Sequence, residues 1–324
     1  MVGFAIVEEA PAVTVQPTVR AYAESLGAHG RLWLDSLPAL LGRQCREWEL
    51  GLGNTLPGGS RSYVRRVTTR DGRRAVLKLA LPEPILTTQI STLVAARGHG
   101  YVQVLAHDLD RGALLLESLG PSAGEAVRDV PTVLALTAGT LRQAWRVPRE
   151  VCLPPQGESG HKAAGLLALV RDLAEERGDP ELQVVVYQAL RYARERWEAR
   201  DPARQVVVHG DPHAANLLRV EGARPGAETG YVFVDPEGFL CEPEYDLGVA
   251  LRGWNTELLA SSHPNSELRS WCEQMAWATG TDAEAIWQWA YLERVSSGLY
   301  LGHHGLPDLG APFLTVAGRL LTSV

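Results

Sequence analysis

The chain has 324 residues, 45% of them hydrophobic, and 31 basic against 38 acidic side chains give a formal net charge of −7 at pH 7. That much apolar material supports two lobes or domains. The acidic balance argues against a nucleic-acid partner, which calls for basic stripes facing phosphates. No stretch reaches the roughly 18 uninterrupted apolar residues of a membrane helix. The leading "MVGFAIVEEAPAV" lacks a basic segment and is broken by Glu8 and Glu9, so the expectation is a cytoplasmic protein with no membrane partner.

In chain order, residues 1–20 show no clear periodicity. From Tyr22 to about Arg46, Leu26, Leu32, Trp33, Leu37, Leu40 and Leu41 recur at helical spacing, which predicts one or two amphipathic helices with a break near Gly27–Gly30. "CREWELGL" and "SYVRRVTTRDGRRAVLKLAL" read as strands, the second folded at Asp71-Gly72, a strong hairpin signal. A helix over "ILTTQISTLVAARG" and two strands around the Asp-Arg-Gly turn of "YVQVLAHDLDRGALLLESL" complete an antiparallel α+β lobe. Its five strands have one helix inserted after the third. The four cysteines, Cys45, Cys152, Cys241 and Cys272, form no C-x-x-C pair and read as reduced thiols.

After "LGPSAG" helices are expected over about 130–146, 161–178 and 180–200. The segment "VVVHGDPHAANLL" then reads as strand, loop, strand. "YVFVD" follows as another short strand, and from Asp246 onward the chain is helical and rich in tryptophan. The expected domains are residues 1–119, a β-rich lobe ending in a hinge near Glu117–Gly120, and residues 120–324, a larger helical lobe with a small embedded hairpin. Trp254, Trp271, Trp277, Trp287 and Trp289 read as core packing.

Taken singly, Asp211 and Asn216 are turn formers. In context, Asp211 and Asn216 leave one strand end and Asp235 leaves another, gathering two carboxylates and an amide on the edge of a hairpin. Mg²⁺ takes hard oxygen ligands, one or two of them carboxylates, and completes its shell with water and phosphates. Asn216 and Asp235 suit that role, and Asp211, first in a D-x-x-x-x-N, is left to accept a proton from an attacking hydroxyl. Lys78 lies inside an apolar strand, where a lysine either snorkels to the surface or serves as a cation for phosphates. "LGLGNTLPGGSRS", with Gly58, Gly59 and Ser60, offers backbone N–H groups for phosphates without an intact G-x-G-x-x-G. The order of these signals matches a kinase fold: Gly-rich turn, strand lysine, helix, hinge, H-G-D-x-x-x-x-N, strand, D-P-E-G.

The chain resembles the aminoglycoside phosphotransferase family over nearly all its length from about residue 20, most closely the branch of streptomycin 6-kinases and hydroxyurea kinases. "LWLDSLPALL", "DGRRAVLKL", "GHGYVQVLAHD", "LLLESL", "HGDPHAANLL" and "VDPEGFLCEPEYDLG" carry the resemblance. It implies a protein-kinase-like two-lobed α+β fold, with a small antiparallel β-rich N-lobe and a larger mainly helical C-lobe. It also implies phosphoryl transfer from ATP (or GTP) with Mg²⁺. Asp211 would be the catalytic base, Asn216 and Asp235 the metal ligands, and Lys78 the contact to the phosphates. The backbone from Glu117 to Leu119 would meet the nucleobase. His209 would anchor the loop, and Asp246 would either hold the loop backbone or cap a helix.

The chain departs from the family pattern at four places: Gln89 where a glutamate usually pairs with the lysine, with Glu83 as a possible substitute; Pro212; Ala215; and Ala144-Trp145. The implied substrate is a small cationic molecule, a streptomycin-type aminoglycoside, whose phosphorylation gives antibiotic resistance. Kinases acting on a basic peptide antibiotic, hydroxyurea or a metabolite, and a non-catalytic nucleotide-binding relative, stay open. So does a monomer or weak dimer. No A-P-E element follows "VDPEG", which disfavours a protein kinase. Among Glu237, Glu242, Glu244, Glu257 and Glu293, ordinary solvated charge is the general reading, and Glu237 and Glu257 are the substrate candidates. His303 and His304 read as loop residues rather than metal ligands.

Overall fold

The computed structural model describes residues 13–57, 59, 61–152 and 161–322. The chain divides into two compact units, one of Met1–Gly98 with Val102–Gly120, the other of His99–Tyr101 with Pro121–Val324.

The first unit opens with helices α1 (Pro17–Ser25) and α2 (Ala28–Glu47). Gly27, in the left-handed region at φ 66°, makes the break between them. Within α2, Trp33, Leu37, Leu41 and Cys45 repeat every four residues and are all buried. Gly30 lets the two helices touch, since a Cβ there would sit 1.7 Å from the Ala23 carbonyl oxygen. A glycine inside a helix costs about 0.5–1 kcal/mol. Each fully buried leucine returns about 1.5–3 kcal/mol, so packing decides.

Strands β1 (Gly51–Thr55), β2 (Ser62–Thr68), β3 (Arg74–Ala80), β4 (Val104–Asp108) and β5 (Ala113–Glu117) form one sheet in the order β1-β2-β3-β5-β4, with α3 (Leu86–Ala96) after β3. All four pairings are antiparallel. The β2–β3 hairpin turns at Asp71-Gly72, where Gly72 has φ 83° and the Thr69 amide donates to the Arg73 carbonyl at 3.0 Å. Side chains alternate along β3, so Leu77 and Leu79 enter a core shared with Trp33, Leu37, Leu41 and Tyr63, while Lys78 faces the other way. "CREWELGL" is corrected in part. Cys45–Glu47 is the last turn of α2, and the strand begins only at Gly51. Cys45 completes the buried helical stripe, and that burial outweighs the local β signal.

Strand β6 (Leu119–Ser122) carries the chain into the second unit. Helices α4 (Ala123–Ala126), α5 (Val130–Ala144), α6 (Lys162–Arg177) and α7 (Gln183–Glu198) follow. Then come β7 (Val206–Val208), β8 (Leu217–Val220), β9 (Tyr231–Phe233) and β10 (Phe239–Cys241). The end of the chain is helical: α8 (Pro243–Arg252), α9 (Asn255–Ala260), α10 (Pro264–Thr279), α11 (Ala283–His303) and α12 (Pro307–Thr322).

In place of the expected single hairpin there are two separate strand pairs. Strand β7 pairs with β10 and β8 with β9, both antiparallel. "VVVHGDPHAANLL" therefore joins two different strand pairs, and β10 went unread because three residues are too few to show alternation. Helix α11 is apolar nearly all round and buried from Ala285 to Ser296. Gly248 on α8 lies directly on it, because a Cβ there would be 2.5 Å from the Trp289 Cβ. Trp271, Trp287 and Trp289 are core, but Trp277 is 90% exposed. His303 belongs to the last turn of α11 and His304 caps it, so neither is in a loop. Among the described residues, no group of three or more His, Cys, Asp or Glu could hold a metal, and no helix is long and apolar enough to cross a membrane. All four cysteines are free and buried.

Candidate active site

In the second unit the chain leaves β7 as His209-Gly210-Asp211. His209 is fully buried. Its Nδ1 accepts from the Asp211 amide at 3.1 Å, so Nε2 is the protonated nitrogen and donates to the Val234 carbonyl at 2.9 Å. Burial pushes its pKa down to about 4, which keeps the ring neutral. The ring lies against Phe233 and stacks on Tyr101. Gly210 has φ 90°, and a Cβ on it would come within 2.7 Å of the Glu237 Cβ, so the turn before Asp211 requires glycine.

Asp246 sits under this turn. It lies in the first turn of α8, whose N-cap is Glu242, so it is not a cap itself. One carboxylate oxygen accepts from the His209 amide and from the Trp145 indole N–H, both at 2.8 Å, and the other accepts from the Gly210 amide at 2.8 Å. Burial raises its pKa to about 6, against the pull of those three donors. Trp145, one of the departures from the family pattern, therefore supplies a hydrogen bond that the sequence alone did not reveal.

Asp211 carries two side-chain partners. Arg252 Nη2 donates to Oδ1 at 2.8 Å, and His213 Nε2 lies 3.4 Å from Oδ2. Burial alone would raise the carboxyl pKa. The hydrogen bond and charge of His213 and the Arg252 guanidinium outweigh it, and the group is held well below the usual carboxylate range. Asn216 ends a short 3₁₀ turn, Ala214–Asn216, just before β8. Its Nδ2 donates to the Asp211 carbonyl at 3.0 Å, and its own carbonyl accepts from the Val234 amide at 2.9 Å. The side-chain oxygen is the atom left for a ligand. Asp235, next after Val234, is exposed and sits in the left-handed region at φ 58°, a strained position for a non-glycine residue. The structure thus brings Asp211, Asn216 and Asp235 together across the β8–β9 pair. An amide oxygen and a carboxylate fit Mg²⁺, with the rest of the shell coming from water and phosphate.

In the first unit, Lys78 is 7% exposed at the centre of β3, opposite Val64 of β2 and Leu114 of β5. Gln89 is half-buried on α3. Glu83, the considered substitute, accepts from the Tyr22 hydroxyl at 2.7 Å and lies 3.9 Å from Arg61. Glu117 is buried, and its amide and carboxylate both bond the Gln103 backbone, so its N–H is spent inside the sheet. Leu119 opens β6. Of the glycine-rich turn, Gly59 is exposed with open space where a Cβ would go. Gly58 and Ser60 lie outside the described residues.

Glu237 is half-buried against the loop, its amide donating to the His209 carbonyl at 2.7 Å. Glu257 is half-buried on α9. Three of the other glutamates are not solvated. Glu244 is fully buried and paired with Arg204, Glu242 accepts from the Trp289 indole at 2.7 Å, and Glu293 accepts from the Tyr245 hydroxyl at 2.8 Å. Arg252 and His213 are the site residues that sequence reasoning missed, and Glu293, read there as solvated charge, is buried and bonded to Arg252. A signal existed for Arg252 and Glu293: "LGVALRG" places Arg252, and "WAYLERVSSG" the adjacent Glu293 and Arg294, in apolar helical runs, where a charge needs a partner.

A strand-end aspartate held by its neighbours, with an amide and a carboxylate at the ends of the adjoining strands, is the arrangement a kinase-like phosphotransferase uses. The family model described as aminoglycoside/hydroxyurea antibiotic resistance kinase matches residues 47–305, and the chain belongs to that family of small-molecule kinases. The streptomycin 6-kinase of Streptomyces glaucescens is 28% identical over 307 residues, which is 94% of this chain and 96% of that one. The streptomycin 6-kinase of Streptomyces griseus is 32% identical over 242 residues, 72% of this chain and 73% of that one. Among solved structures, choline kinase LicA from Streptococcus pneumoniae shares the fold, with a TM-score of 0.58 at 13% identity over 89% of this chain and 99% of that chain.

Proposed function

We propose that this chain transfers the γ-phosphoryl group of ATP to a hydroxyl of a streptomycin-type aminoglycoside in the cytoplasm, and so confers resistance. The observation that carries the reading is Asp211, an ionised carboxylate beside the ligand oxygens of Asn216 and Asp235, in a chain related over most of its length to streptomycin 6-kinases. The acceptor oxygen bonds to the γ-phosphorus as the bond to the bridging oxygen breaks. ADP leaves with the electron pair, and the acceptor proton passes to Asp211. Lys78 contacts the phosphates and the backbone near Glu117 and Leu119 meets the nucleobase, with Gln89, Gly58, Gly59 and Ser60 on the nucleotide side. Asn216 and Asp235 hold Mg²⁺, which when bound offsets charge on the phosphates. Asp211 orients the acceptor hydroxyl as well as taking its proton. Positioning and charge neutralisation supply most of the rate. The net charge of −7 favours a cationic acceptor, with Glu237 and Glu257 as its candidate contacts.

Hydroxyurea is the second reading, favoured by the family description. The test is ADP release with Mg-ATP against streptomycin, other aminoglycosides, basic peptide antibiotics and hydroxyurea, with Asp211→Asn beside it. Turnover with streptomycin that falls by about 10³-fold or more in the variant supports the proposal. Turnover with hydroxyurea alone moves the substrate to the second reading. Full activity of Asp211→Asn sinks the assignment of the base.

A further inference from the structure

Arg252 is the last residue of α8 and reaches two carboxylates at once. Its Nη2 donates to Asp211 Oδ1 at 2.8 Å and its Nη1 to Glu293 Oε2 at 3.2 Å. Glu293 is buried, with a side chain only 5% exposed, and its other oxygen accepts from the Tyr245 hydroxyl at 2.8 Å. Lys162, whose ammonium rests over the Tyr245 and Phe239 rings, lies 3.7 Å from that same oxygen.

The backbone that carries Arg252 is held as well. Arg294, fully buried, donates to the Leu251 carbonyl at 2.8 Å, to the Ala290 carbonyl at 3.3 Å and to the Asn255 side chain at 3.0 Å. The guanidinium is thus anchored at both ends, by a capped helix terminus and by a buried carboxylate that cannot reorient without losing Tyr245. A planar fork gripping two carboxylates transmits that rigidity as a point-charge ammonium cannot.

The two oxygens of Asp211 are therefore unequal. Oδ1 has a half-buried and doubly anchored partner at 2.8 Å. Oδ2 faces His213 at 3.4 Å, on an imidazole whose side chain is 41% exposed. That partner is the exchangeable one.

We infer that Arg252, backed by Glu293, is a positioning residue for phosphoryl transfer: it locks Oδ1 of Asp211 and so leaves Oδ2 as the oxygen that meets the acceptor hydroxyl, in place of His213. The inference rests on the reading of Asp211 as the base. Nothing in "HGDPHAANLL" contains it, since Arg252 and Glu293 follow Asp211 by 41 and 82 positions.

The test compares Arg252→Ala, Arg252→Lys and Asp211→Asn in ADP release. Each is measured with streptomycin as acceptor and, without it, with water in slow Mg-ATP hydrolysis. Arg252→Ala is expected to lose about 10²-fold in kcat, the scale of a misplaced catalytic group, with KM for ATP nearly unchanged. Arg252→Lys, with the charge but not the fork, should fall between wild type and Arg252→Ala. Added ethylguanidine should restore part of the Arg252→Ala activity, and ethylammonium should not. Wild-type kcat in Arg252→Ala beside a dead Asp211→Asn overturns the inference and spares the proposed function. So does a loss shared equally by Arg252→Lys, unmoved by ethylguanidine and matched by a lowered melting temperature, because the role is then structural. Activity in Asp211→Asn instead overturns the assignment of the base, and the inference falls with it.

Discussion

Replacing Asp246 by asparagine separates catalytic-loop geometry from global stability. The carboxylate is fully buried and accepts three N–H bonds, two on one oxygen and one on the other. Asparagine keeps one acceptor oxygen, so with that oxygen toward Trp145 and His209 its amide N–H₂ confronts the Gly210 amide. One charge-assisted hydrogen bond is lost, at about 1.5–3 kcal/mol. Against that, a pKa raised from 3.8 to about 6 means that keeping the folded state ionised above pH 6 costs about 3 kcal/mol, and asparagine relieves this cost. The terms nearly cancel near pH 8, so a melting-temperature change of only a few degrees is expected.

Catalysis has no such compensation. The Gly210 amide adjoins Asp211, and with Asp211 in its proposed role its displacement is expected to cost about 10²-fold in kcat. Stability carries a second signature. A carboxyl whose pKa is higher folded than unfolded binds its proton more tightly in the folded state. Its contribution is therefore most favourable at acid pH and is lost as pH rises through about 6. From pH 5 to pH 8 the wild type loses about 1.4 kcal/mol from this group, and Asp246→Asn loses none of it. Denaturant melts at the two pH values, with kcat measured at pH 8, check both. A kcat within a factor of two of wild type, or an equal pH dependence in the two proteins, refutes the reasoning.

Gly210→Ala is expected to destabilise the protein by at least about 1–3 kcal/mol, from a strained positive φ with a contact under 3 Å, and to reduce kcat; a denaturant melt equal to wild type contradicts it. Lys78 and Lys162 are the only lysines, so an acyl-phosphate ATP probe has two side-chain amines to choose from. Labelling of Lys78, blocked by Mg-ATP, is expected from peptide mass spectrometry, and labelling of Lys162 alone contradicts the role given to Lys78. Asp235→Asn should raise the Mg²⁺ concentration for half-maximal turnover by about 10–100-fold, read from a magnesium titration at saturating ATP. An unchanged titration removes Asp235 from the metal site.

The sequence by itself determined most of the elements and picked out the candidate site residues. Alternation around Asp71-Gly72 defines the β2–β3 hairpin, and the four-residue repeat of Trp33, Leu37 and Leu41 defines α2, because both patterns record which face meets a core. The H-G-D-x-x-x-x-N spacing singled out Asp211 and Asn216 because both belong to one short loop, and Asp235 stands at a strand end legible nearby. Other features depended on partners distant in the chain. Pairing of β7 with β10 rather than β8 is decided by packing against neighbouring elements, which three-residue strands cannot encode locally. The same holds for Trp145, Arg252 and Glu293. A buried charge is stable only with its partner, and the partner is chosen by how α8 settles on α11 over Gly248, not by spacing along the chain. Tertiary structure alone decided that these distant residues hold Asp211.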